Sequence, residues 1–144
     1  MKDGKIVVFT GGTFDLFHIG HLNILRKSKS FGDILIVGVS PDEVVLSYKK
    51  KKPIISFIER AEIIKHCDYV DEVVRQEVLT DPRILEKYGV DIVTIGDDWK
   101  KKHLPGLEWA RKNPNIQVIY LPYTKDISST EIKRNIKNGW QEDK

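Results

Sequence analysis

Five short runs rich in β-branched residues punctuate the chain: Lys5–Thr10 (KIVVFT), Asp33–Val39 (DILIVGV), Tyr69–Val74 (YVDEVV), Asp91–Ile95 (DIVTI) and Ile116–Leu121 (IQVIYL). They are nearly continuous in apolar character, the pattern of strands covered on both faces of a sheet. Helical spacing fills the intervals. From Ile19 onward, Leu22, Ile24 and Leu25 recur at helical intervals, and Gly32 stands where that helix would stop. Ser56 can cap a helix over Phe57–His66, and Asp81-Pro82 can open one over Arg83–Tyr88 with Gly89 behind it. Leu104–Lys112 forms a further candidate, and Ser128 or Ser129 can cap a last helix through Asn138. This alternation predicts an α/β fold: a Rossmann-like three-layer sandwich with a five-stranded parallel sheet and right-handed crossovers. A chain of 144 residues is expected to make one domain over residues 1–144. Ligands of such sheets bind beyond the carboxyl ends of the strands, so the residues following each strand carry the chemistry.

Composition narrows the function classes. There are 24 Lys and Arg against 21 Asp and Glu, a formal charge of +3 that is too small by itself to argue for a nucleic-acid partner. The single cysteine, Cys67, excludes an internal disulfide framework and reads as a small buried hydrophobe in a reducing compartment. No apolar stretch approaches the roughly 18 residues needed to span a bilayer, and the start MKDGKIVVFT lacks an export-signal core. A cytoplasmic protein with no membrane partner is the expectation.

The densest chemistry follows the first strand, in Gly11–His21 (GGTFDLFHIGH). Gly11 and Gly12 predict a tight turn and close ligand approach, and Gly20 does the same at the start of the next helix. Unpaired backbone N–H groups at that start favour an anion. His18 and His21, three residues apart, share one helical face beside it, an arrangement suited to a polyphosphate. This is neither a P-loop nor the three-glycine dinucleotide fingerprint. Two histidines without a third ligand make a weak zinc site, so no protein-held metal is expected.

GTFDLFHIGH resembles the HxGH signature of the nucleotidyltransferase superfamily, and its context is similar to that of the glycerol-phosphate cytidylyltransferases. FGDILIVGVSPDE, YVDEVV, GDDW and ISSTEIK, at Phe31–Glu43, Tyr69–Val74, Gly96–Trp99 and Ile127–Lys133, follow in that family's order. The resemblance implies that a phosphate oxygen of an acceptor attacks the α-phosphorus of a nucleoside triphosphate and pyrophosphate leaves. CTP and a small phosphorylated alcohol such as glycerol 3-phosphate are the implied reactants. No general base is then required, and catalysis reduces to positioning and charge stabilisation. His18 and His21 would donate hydrogen bonds to the phosphates, and Thr13 and Phe14 would line the nucleotide. Asp15 fits that lining or a structural role in the turn. Lys49 and Lys51 of the run Lys49–Lys52 would reach the triphosphate and the acceptor phosphate, with Arg60 supporting them; a solvated loop and a surface ion pair with Glu59 or Glu62 are the plainer readings of the same residues.

Further along, Asp97 in Gly96-Asp97-Asp98-Trp99 is placed to accept from a ribose hydroxyl or to hold Mg²⁺, which the resemblance implies enters with the nucleotide. Ile127, Ser128, Ser129 and Thr130 would cradle the β- and γ-phosphates at a helix start. Tyr123 occupies the position where the family carries arginine, and Asp126 that of a glycine, so either Lys125 compensates or the reactants differ. A homodimer is implied by resemblance alone. Alternatives are an adenylyltransferase acting on a sugar phosphate or flavin mononucleotide, and a nucleotide or nucleic-acid binder using Lys49–Lys52 and Lys100–Lys102. Aromatic residues do not interleave with those lysines as a base-stacking surface requires, so no nucleic-acid partner is expected.

Overall fold

The computed structural model describes residues 3–97, 104–125 and 127–139. Five strands, β1 (Val7–Gly12), β2 (Ile34–Val39), β3 (Glu72–Arg75), β4 (Ile92–Gly96) and β5 (Gln117–Leu121), form one sheet in the order β3-β2-β1-β4-β5. Every neighbouring pair is parallel. Six helices connect them: α1 (Ile19–Ser30), α2 (Asp42–Lys49), α3 (Phe57–Lys65), α4 (Pro82–Lys87), α5 (Pro105–Lys112) and α6 (Ser129–Lys137). The Rossmann-like α/β sandwich expected from the alternation is therefore present.

Side-chain alternation along β1 and β2 creates the two buried layers. Val7, Phe9 and Ile36 face one side and pack with Ile84 and Leu85 of α4 and Ala110 of α5. Val8, Leu35 and Val37 face the other and pack with Leu25 of α1 and Ile64 of α3. An Asp just before each of β2, β3 and β4 pins the neighbouring strand: Asp33 accepts from Ile6 N–H, Asp91 from Val7 N–H and Asp71 from Leu35 N–H. These carboxylates close the amino edge of the sheet. The carboxyl edge stays open where β1 and β4 lie side by side and the strand order reverses, the switch point where such sheets hold ligands.

The structure revises two readings. α2 follows β2 directly, so Lys49 is its last residue and the rest of the lysine run leaves it through Lys50, which adopts a left-handed cap at φ 64°. Gly11 and Gly12 belong to β1, paired with Gly38 and Val39, and make no turn. They are small because neighbours fill the space above them. A Cβ on Gly11 would lie 2.6 Å from Gln76 Oε1, and one on Gly12 would lie 3.2 Å from the Phe14 ring. The turn itself is made by Phe14 and Leu16, at φ 57° and 52°.

Candidate active site

A cavity of about 1000 Å³ opens at the carboxyl ends of the strands. β1 contributes Gly12, β4 contributes Gly96, and α1, α2 and α6 supply the walls. Of the sequence candidates it gathers Gly12, Thr13, Phe14 and His21 on one side, and Lys49 and Lys51 on another. Tyr123, Ser129 and Thr130 close the third. His18, Gly20, Arg60, Asp97, Ile127 and Ser128 do not line it. Asp98, Trp99, Lys100–Lys102 and Asp126 lie outside the described residues.

The two histidines interlock at the start of α1. His18 is the N-cap, and its Nδ1 accepts the Gly20 N–H at 3.1 Å. His21 Nδ1 accepts the His18 N–H at 3.2 Å, so the rings form a reciprocal capping box normally built from Ser or Thr and Glu. With Nδ1 accepting in both rings, the proton resides on Nε2. The rings stack 3.8 Å apart, and His21 also meets Phe14 and Phe17. Burial, reinforced by His18 and Lys49 and opposed by Asp15, lowers the His21 pKa to about 3. Burial lowers that of His18 as well. Both rings are thus neutral N–H donors. His18 Nε2 is buried without a hydrogen-bond partner among the described residues, whereas His21 faces the cavity. Gly20 accommodates this arrangement, since a Cβ there would press to 2.8 Å on the His18 ring.

Arg60 does not line the cavity, nor is it a surface residue. Its side chain is fully buried beneath the cavity and donates to the carbonyls of Ile55 (2.8 Å), Thr13 (2.7 Å) and Ser40 (2.8 Å), and to Asp42 (2.6 Å). It therefore positions the loop after β1 and the start of α2 from below. A planar five-donor group suits that task because it can satisfy several carbonyls at fixed angles.

Asp15 resolves as a structural node. It is 3 % exposed, accepts from the N–H groups of Ile54 (2.8 Å) and Ile55 (2.9 Å), and pairs with Lys133 of α6 at 2.9 Å. Burial opposes its ionisation, but these contacts prevail and hold its pKa below the ordinary carboxylate value. Its own carbonyl accepts from Ser129 Oγ. One residue thus ties the chain after the lysine run, α6 and the histidine loop together.

Sequence reasoning missed the cations of α6. Lys133, Arg134 and Lys137 all line the cavity, whereas Lys125 does not. Their signal was a helix with a polar face beginning at Ser129, whose i, i+1 and i+4 cations the hydroxyl motif overshadowed. Lys52 also reaches the lining, while Lys50, turned by its left-handed backbone, does not. Asp15 is the one carboxylate on the lining among the described residues, and its oxygens are already taken. No group of three potential metal ligands occurs among the described residues. A magnesium ion here fits as one carried by triphosphate oxygens and water, as is usual for this ion, rather than one held by a protein cage.

The model of the cytidylyltransferase-like family matches residues 9–135, a span that runs from within β1 to within α6. This chain belongs to that family. It is 41 % identical over 133 residues to a glycerol-3-phosphate cytidylyltransferase of Bacillus spizizenii, covering 90 % of this chain and 95 % of that one. It is 39 % identical over 134 residues to an FAD synthase of Thermococcus sibiricus, covering 90 % of each. Among solved structures, a lipopolysaccharide core biosynthesis protein of Thermoplasma volcanium superposes with a TM-score of 0.65 at 27 % identity, over 86 % of this chain and 100 % of that one. The chain is a nucleotidyltransferase of the cytidylyltransferase-like family. No described helix is long and apolar enough to cross a membrane.

Proposed function

We propose that this nucleotidyltransferase transfers CMP from CTP to a small phosphorylated alcohol such as glycerol 3-phosphate, releasing pyrophosphate. The observation that carries the reading is the pair of neutral, interlocked imidazoles at the start of α1, of which His21 lines a cavity walled by lysines. A neutral Nε2–H can donate to a phosphoryl oxygen without a proton changing hands. The acceptor phosphate is already an anion, so the site needs no base and works by fixed charge.

In this reading His21 donates to the α-phosphate as charge shifts toward the leaving pyrophosphate. His18 Nε2, unpaired in the protein, gains a phosphoryl partner when the triphosphate enters. Lys49 and Lys51 hold the acceptor phosphate against the α-phosphorus, while Ser129 and Thr130 at the α6 start, with Lys133 behind them, receive the β- and γ-phosphates. Thr13, Phe14 and Gly12 bound the nucleotide, with Tyr123 and Ile127 at its far side and Asp97 toward the ribose. Bound with the triphosphate, Mg²⁺ would supply neutralisation of the phosphate charge. A homodimer in the cytoplasm belongs to the same proposal.

ATP is the second reading for the nucleotide, favoured by the FAD synthase of Thermococcus sibiricus that matches nearly as well. The decisive experiment measures pyrophosphate release with CTP and with ATP against glycerol 3-phosphate, other phosphorylated alcohols, sugar phosphates and flavin mononucleotide. Turnover with CTP and glycerol 3-phosphate above every other pair is the expected result. Preference for ATP with flavin mononucleotide or a sugar phosphate replaces it with the second reading. Retention of nucleic acid in a salt-sensitive manner with no turnover for any pair overturns both.

A further inference from the structure

Tyr48 has no part in the reading above, yet it lines the same cavity. It stands on the last turn of α2, half-buried, with its phenol oxygen 2.9 Å from Thr13 Oγ1. Two hydroxyls carry two protons, and the bond between them uses one. Whichever oxygen donates, the other retains an O–H, so the pair always offers one uncommitted donor.

The pair is held from beneath by a single group. Arg60 donates to the Thr13 carbonyl and also to Asp42, the first residue of α2, so one guanidinium fixes the loop that carries one hydroxyl and the helix that carries the other. The surroundings select the charge of what binds. Lys49 Nζ lies 6.0 Å from the centroid of the Tyr48 ring, and Lys51 and Lys52 line the same wall. The nearest lining carboxylate, Asp15, is occupied by two backbone N–H groups and Lys133. A fixed O–H donor among ammonium groups attracts an anionic acceptor far more than a neutral one.

We propose that the Thr13–Tyr48 hydroxyl pair binds a phosphoryl oxygen, contributed by either the triphosphate or the phosphorylated acceptor. This rests on the nucleotidyl-transfer reading and adds Tyr48 to its binding residues. The shared proton gives the pair a distinctive signature. Tyr48→Phe leaves the Thr13 hydroxyl to donate, and Thr13→Val leaves that of Tyr48, but in each case the survivor is no longer held in place.

The test is steady-state kinetics with each reactant varied in turn, for Tyr48→Phe, Thr13→Val, the double variant and Thr13→Ser. Each single loss is expected to raise one KM by about 3- to 5-fold. The double variant should raise the same KM by more than the product of the two, toward about 100-fold, the scale of a lost hydrogen bond to a charged group. Thr13→Ser, which keeps the hydroxyl, should raise that KM less than Thr13→Val does. The KM that moves identifies the source of the phosphoryl oxygen. A double variant with both KM values within twofold of wild type, or with effects that simply multiply, overturns the proposal. If the double variant does not fold, Tyr48→Phe and Thr13→Ser decide it: a larger shift in the first supports the pair, and equal or absent shifts overturn it. If the wild type turns over no reactant pair, the functional reading has failed, and the hydroxyl pair is then tested by calorimetric titration of the same variants with tripolyphosphate and with inorganic phosphate. Unchanged affinity for both would overturn it.

Discussion

Two helices begin at the cavity, and they are built differently. α1 is capped by two imidazoles, buries Leu25 and Ser28, and has Ser28 Oγ 2.7 Å from Thr94 Oγ1 of β4. α6 is capped by Ser128 Oγ, which accepts from Glu131 N–H at 3.0 Å, and buries no residue at all. α1 is thus part of the core, while α6 is moored by Asp15 through Ser129 and Lys133. The contrast assigns different tasks. Under the proposed reaction, donors whose distance to a reacting phosphorus matters would sit on the helix that the core fixes, and cations that need only supply charge on the helix that lies on the surface.

The largest test removes the foundation of the α1 side. Arg60→Met should cost about 3–5 kcal/mol of stability, because the carbonyls of Thr13, Ser40 and Ile55 lose their donor in a buried place. Urea unfolding measures it; a loss below about 1 kcal/mol would show that the loop after β1 holds its own shape. Next in size, His21→Asn keeps an acceptor near the Nδ1 position and deletes the Nε2–H, so turnover should fall about 10²-fold or more while the melting temperature holds. His18→Asn separates cap from donor in the same way, and undiminished pyrophosphate release by either variant would remove that imidazole from the chemistry.

A smaller effect comes from pH. The unfolded chain protonates His21 near its ordinary value of 6.5, whereas the folded chain resists until about 3. Between those values the unfolded state binds the extra proton, so stability falls as pH is lowered. His21 alone should make the protein up to about 2 kcal/mol less stable at pH 5 than at pH 7. His18, shifted the same way, adds to the slope. The difference should shrink in His21→Asn, as denaturant titration at the two pH values will read. The smallest effect lies on α6: Lys137→Ala should raise the KM for the nucleotide only about two- to fivefold at low salt. That difference should vanish near 0.5 M salt, since an exposed cation acts through screened charge. A change in melting temperature instead would mean that α6 is packed more tightly than its exposure indicates.

Much of the molecule is legible in the residues alone, for a reason of periodicity. All five strands and five of the helices announce themselves through apolar runs and caps, and Ser56, Asp81 and Ser128 cap as their residue types require. α2 escapes because its apolar residues, Val44, Val45 and Leu46, are consecutive rather than spaced, and it buries only Val45. The glycines in and before the HxGH motif mislead for a related reason. A pattern shows that a Cβ is unwelcome at Gly11 and Gly20, but not whether a ligand, the Gln76 amide or the His18 ring occupies the space.

Sequence by itself determined the alternating fold, the placement of polar residues after the first and last strands, and the two histidines at the start of α1, because these depend on local spacing and short-range caps. Only the tertiary structure decided which charges face inward to the protein and which face the cavity. Arg60 and Lys51 are both cations near one loop, yet the first is sealed under carbonyls contributed by three separate segments and the second lines the open space. Such assignments depend on which distant backbone groups are left without partners after the chain folds, and no spacing along the chain encodes that.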